Sequence, residues 1–98
     1  MPQLVDPDGV EIATIGELVE LRGRRVVEVG CGEGRLTFAC ARAGASVFAF
    51  DPDEASIRKA RAAVPPPLRR VVRVETADAA RIELPKGQFD LALFSWSL

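Results

Sequence analysis

The chain has 98 residues, 48% hydrophobic and 28% charged, with a formal net charge of −1, which fits one ordinary globular domain with a single core. So even a balance excludes long-range attraction to nucleic acid or an anionic membrane. Two cysteines and no histidine argue against a disulfide scaffold and a zinc site; no signal-like or membrane-length apolar run is seen, so the cytoplasm is the expected compartment.

Residues 1–10, with Pro2, Pro7 and Gly9, read as an irregular lead-in. Asp8 is placed to cap a helix beginning near Val10, with Ile12, Ile15, Leu18, Val19 and Leu21 at helical spacing and Gly23 as its stop. "RVVEVG" (25–30) reads as the first strand. Leu36, Phe38, Ala39 and Ala43 then suggest a short helix ending at Gly44. "SVFAF" (46–50) is the second strand. Pro52 or Asp53 opens a second helix through "EASIRKARAAV", which Pro65–Pro67 ends. "RVVRVE" (70–75) is the third strand. "ADAARIELPKGQ" is turn-like, with room for one helical turn, and "FDLALFSW" (89–96) is the fourth strand.

Strands alternating with helices of about ten residues predict an α/β domain with a parallel sheet. The strands are nearly continuously apolar, as strands covered on both faces should be. No repeat or second domain is visible. The sequence stops at Leu98, just after the fourth strand. An apolar "FDLALF" at an open edge invites pairing with another chain, so a homodimer through the fourth strands of two copies is expected.

"VVEVGCGEGRL" (26–36) carries the chemistry. A strand running into Gly30, Gly32 and Gly34 and then a helix is a nucleotide-binding type of turn, since bare backbone approaches a ligand without a Cβ in the way. Asp51 ends the next strand, where an acid can accept both hydroxyls of a ribose. The competing role for Asp51 is a cap on the following helix; it can do both, or leave the cap to Asp53. A dinucleotide would bring G-x-G-x-x-G, but here the third glycine comes one residue early and Arg35 stands at the pattern's last position. Glu28 and Glu33 would also repel a pyrophosphate. A cationic ligand suits them better, with Glu28 as partner for its ammonium. The alternative for Glu28 is pairing with Arg24 or Arg25, because an acid inside a buried strand needs a partner.

"VVEVGCGEGRLT" resembles the first motif of class I S-adenosylmethionine-dependent methyltransferases, E/D-x-G-x-G-x-G. "FAFDPDEASIRKAR" is similar to that family's second motif, and "ETADAARIELPKGQFDLALFSWSL" to its third and fourth. The resemblance implies a three-layer, Rossmann-like sandwich with S-adenosylmethionine as cofactor. It implies Glu28, Gly30, Cys31, Gly32 and Gly34 in the cofactor turn, Asp51 on the ribose and Pro52 at the adenine pocket. Asp78 then takes the adenine amino group, with Ala79 supplying the neighbouring N–H; the other reading of Asp78 is a turn cap. "FSWSL" then falls where the family's fourth motif borders the transferable methyl, with Ser95 and Trp96 placed to line the acceptor site; the alternative for Trp96 is packing in the core.

The family's sheet runs 3-2-1-4-5-7-6, and this sequence supplies 3-2-1-4. Residues 1–98 are therefore expected to form a single methyltransferase-like domain, incomplete on its C-terminal side. Methyl transfer is an in-line displacement that mainly needs alignment, and no catalytic residue is assigned. Cys31 is expected to pack, not to react, and Arg69, Arg70 and Arg73 to be solvated. The acceptor is open, with a small molecule favoured. The alternatives are a non-catalytic cofactor-binding or partner-binding module and, less well supported, a dinucleotide-binding domain.

Overall fold

The computed structural model describes residues 4–5, 11–14, 20–78 and 87–94. Six strands form one sheet: β1 (Leu4–Val5), β2 (Glu11–Thr14), β3 (Arg25–Val29), β4 (Ser46–Asp51), β5 (Val72–Thr76) and β6 (Leu91–Phe94). Helix α1 (Arg35–Arg42) joins β3 to β4, and α2 (Glu54–Ala63) leads from β4 towards β5 through a short 3₁₀ turn at Pro66–Leu68. The order across the sheet is β1-β2-β6-β3-β4-β5. All neighbours are parallel except β1 and β2. The run β5-β4-β3-β6 is the expected 3-2-1-4 arrangement.

Side-chain alternation along the strands sorts the core. Val26 of β3, Val47 and Ala49 of β4, Val74 of β5, and Leu91 and Leu93 of β6 pack with Cys40 and Ala41 of α1 and Ile57 and Ala60 of α2. Val27, Val29, Phe50 and Ala92 form the second cluster on the opposite face, flanked by Phe48 and Phe89. Both helices thus cover one face, and among the described residues no helix covers the other. Fully burying side chains such as Ile57, Phe50 and Leu91 contributes roughly 1.5–3 kcal/mol each relative to leaving them in water.

Several boundaries differ from expectation by one or two residues. The third strand starts at Val72, not Arg70, because Arg69 and Arg70 complete the turn after the 3₁₀ segment, where Val71 N–H donates to Leu68 O. The second strand gains Asp51, which is the last residue of β4. The fourth begins at Leu91, and its expected end at residues 95–96 lies outside the described residues.

The larger correction is at the N-terminus. Where the helix expected from Val10 should begin, residues 11–14 are instead β2, paired in parallel with β6 from Glu11↔Leu91 to Thr14↔Phe94; residues 15–19 of that expected helix lie outside the described residues. Short apolar runs do not separate helix from strand by period. Here β6 offers an unpaired edge whose N–H and C=O groups need partners, and a segment with β-branched Ile12 and Thr14 supplies them. The same pairing removes the reason for the expected dimer. β6 lies between β2 and β3, so its edge is not free for a second copy, and the sheet's outer strands are β1 and β5.

Candidate cofactor site

The glycine turn leaves the C-terminal end of β3 and is pinned to its neighbour. Gly30 and Cys31 N–H groups both donate to Phe50 O, at 2.8 and 3.1 Å. Gly32 N–H donates to Asp51 Oδ2 at 2.9 Å. Gly32 has φ +58°, and a Cβ built on it would meet nothing within 4 Å, so there is open space above its backbone. Gly34 caps α1 at φ +95°, and a Cβ there would stand 2.9 Å from the Phe38 ring. One glycine leaves room for a ligand and the other for the helix behind the turn.

The N-cap of α2 falls to Asp53, and Asp51 links that cap to the glycine turn. Its Oδ2 holds the glycine turn, while its Oδ1 accepts Asp53 N–H at 2.8 Å. Asp53 itself caps α2, accepting Ser56 Oγ–H at 2.6 Å. That bond and the nearby backbone N–H groups hold the Asp53 carboxyl below its ordinary value. Ala77 N–H donates to Asp51 O at 3.1 Å, so the chain leaves β5 for Asp78 at the same end of the sheet as Asp51. Pro52 and Asp78 are exposed. Ala79 and Ser95, with Trp96, lie outside the described residues. Gly30, Cys31, Gly32, Gly34, Asp51, Pro52 and Asp78 therefore gather at one end of the sheet, the carboxyl end where open α/β sheets bind ligands.

Glu28 is placed differently from the reading that set it against a ligand. It is 0% exposed, under the turn and not on its open side. Thr37, also 0% exposed, in the first turns of α1, donates its Oγ1 hydrogen to Glu28 Oε1. Arg25 is taken up elsewhere, by Asp90 at the other end of the strand. Thr37 was missed in the sequence because a threonine nine residues beyond the acid carries no motif; only its place on the inner face of α1 marks it.

The turn sits in a negative potential. Burial pushes the Cys31 thiol up to about 12, with the Glu28 and Asp51 charges adding to the rise. Burial, then Glu28, pushes Cys40 to about 11. Both cysteines are free and buried, so neither is a nucleophile at neutral pH. Glu33 projects from the turn and meets Lys59 of α2 at 3.8 Å, both well exposed. Such a field disfavours phosphate and favours a cation.

The methyltransferase domain family matches residues 26–98. The chain belongs to the S-adenosylmethionine-dependent methyltransferases. Among these, it is 40% identical over 79 residues to the magnesium-protoporphyrin O-methyltransferase of Rhodobacter capsulatus, spanning 81% of this chain and 34% of that protein. It is 38% identical over 92 residues to the ubiquinone biosynthesis O-methyltransferase of Pseudomonas fluorescens, spanning 90% and 38%. In structure it is similar to an S-adenosylmethionine-dependent methyltransferase of Mesorhizobium loti, with a TM-score of 0.73 and 37% identity over 82% of this chain and 36% of that one. The chain spans between a third and two-fifths of the length of these proteins. Among the described residues, no helix is long and apolar enough to cross a membrane.

Proposed function

We propose that this chain forms the cofactor-binding part of an S-adenosylmethionine-dependent methyltransferase that acts on a small-molecule acceptor. The observation that carries the reading is the Gly32–Asp51 hydrogen bond in a negatively charged turn. It joins the open glycine backbone to the acid at the ribose position. Each Asp51 carboxylate oxygen uses one lone pair on a backbone N–H, leaving acceptor capacity for two ribose hydroxyls. Asp78 stands at the same end of the sheet for the adenine amino group, and Pro52 borders the same space. The bound cofactor supplies a methyl group already activated by its sulfonium; the protein's part is to align it. The relatives named above act in ubiquinone biosynthesis and on magnesium-protoporphyrin, which supports a small acceptor and transfer to oxygen. Two buried, unbridged cysteines suit a reducing compartment, and a cytoplasmic location is part of the reading.

The test is calorimetric titration of the chain with S-adenosylhomocysteine and, separately, NAD. Saturable binding of the first, absent with NAD and lost in Asp51→Ala, is the expected result. A folded wild-type chain that takes up neither, or prefers NAD, overturns the assignment.

A further inference from the structure

We propose that Thr37 is a positioning residue for the cofactor: its hydroxyl fixes the Glu28 carboxylate beneath the glycine turn, and the carboxylate acts on the ligand's amino-acid tail through the turn, not by contact. The inference rests on the S-adenosylmethionine reading and adds the residue that holds its key acid in place.

Glu28 has no accessible surface, so a ligand resting on the open side of the turn does not touch it. Its side chain lies on the helix-facing side of β3, two residues before Gly30. A carboxylate there is costly unless donors surround it. A threonine inside a helix ordinarily returns its hydroxyl to a carbonyl of the preceding turn. Thr37 instead crosses from α1 to β3 and donates to Glu28 Oε1. Both groups are buried, so water does not replace this bond if it is removed.

The carboxylate's influence reaches the turn itself. Glu28 helps raise the thiols of Cys31, within the turn, and of Cys40, on the inner side of α1. A cationic ammonium resting over the turn meets the same potential. Thr37→Val keeps the shape of the side chain and removes the donor to Oε1, which loosens the hold on the carboxylate beneath the turn. The potential over the turn then weakens, while the adenosine contacts proposed at Asp51 stay intact.

Two ligands separate the terms. S-adenosylhomocysteine carries the ammonium-bearing tail; 5′-methylthioadenosine keeps the adenosine and thioether and lacks the tail. Titrated into wild type, Thr37→Val and Thr37→Ser, the first ligand is expected to weaken about tenfold in the valine variant, through the weaker attraction of the turn for its ammonium. Serine, which keeps the hydroxyl, restores most of the affinity. 5′-Methylthioadenosine binds all three alike. Equal weakening of both ligands means general damage to the turn and overturns the proposal, as does no change for either, while wild-type binding keeps the cofactor reading standing. Wild type binding neither ligand defeats the cofactor reading and this proposal with it. Should Thr37→Val not fold, Glu28→Gln removes the charge at nearly constant shape, and the same selective loss is required of it.

Discussion

Asp51 illustrates how one side chain holds a site and its scaffold together. Its two oxygens fix the glycine turn on one side and the start of α2 on the other, so its replacement loosens both along with the ribose contact proposed for it. Cys31 shows the opposite economy, a reactive atom type kept inert. With its thiol near 12, the nucleophilic thiolate is scarce at pH 8. Iodoacetamide is therefore expected to leave Cys31 and Cys40 unlabelled in the native chain and to label both in urea, read by mass spectrometry. Rapid native labelling of Cys31 would contradict the burial described for it. Asp51 was legible in the sequence because it ends an apolar strand and precedes a proline-opened helix, a local signal. The Thr37 hydroxyl that meets Glu28 was not. Arg24 and Arg25 are near it in sequence, but strand alternation points them away from it or places them further back, and Thr37 becomes its neighbour only when α1 folds onto β3.

At the scale of elements, β3, β4, β5 and the two helices could be read because each carries its own period and its own stop: Gly44 after α1, Pro65 after α2. Residues 11–14 could not, because their strand character comes from the edge of β6, which follows them by about eighty residues. The tie between β3 and the approach to β6 was equally hidden. Arg25 Nη2 and Nε meet Asp90 Oδ1 and Oδ2 at 2.9 and 3.1 Å, the Arg25 N–H donates to Asp90 Oδ2 at 2.9 Å, and Asp90 N–H returns to Arg25 O at 2.7 Å. The hydrogen bond from the Arg25 side chain, then that from its backbone N–H, lowers the Asp90 carboxyl to about 2. A depressed carboxyl stabilises the fold above its unfolded value near 4 and loses that contribution as pH falls towards 2. The pair is partly exposed, so the effect is modest. Asp90→Asn is expected to lower stability at pH 7 and to flatten its fall between pH 4 and 2, measured by urea denaturation at each pH. A variant whose acid limb runs parallel to wild type would show that the pair does not contribute.

Among the described residues, the acids Glu28, Glu33, Asp51, Asp53 and Asp78 gather at the carboxyl ends of the strands, with Arg35 beside them, while Arg24, Arg25, Arg69 and Arg70 lie towards the other end, where Asp90 pairs with Arg25. A net charge of −1 conceals this polarity, which only the parallel arrangement of the strands reveals. The sheet order also sets an expectation for hydrogen exchange. β6 is flanked by β2 and β3, so amides of Leu91–Phe94 should exchange as slowly as those of Val26–Val29. Fast exchange at alternate β6 positions would mean that β2 does not hold its place. This insertion also orders events in time. The last described strand lies between two that precede it, and among the described residues β2 has no neighbour except β1 until β6 arrives. A nascent chain that has emerged only as far as β5 can assemble β3, β4, β5 and the helices, yet it must keep the inner edge of β3 open. Closing the sheet then depends on contacts between distant parts of the chain, which are slow to form. During that interval the exposed edge of β3 is where a partly made molecule is most vulnerable to pairing with the wrong strand.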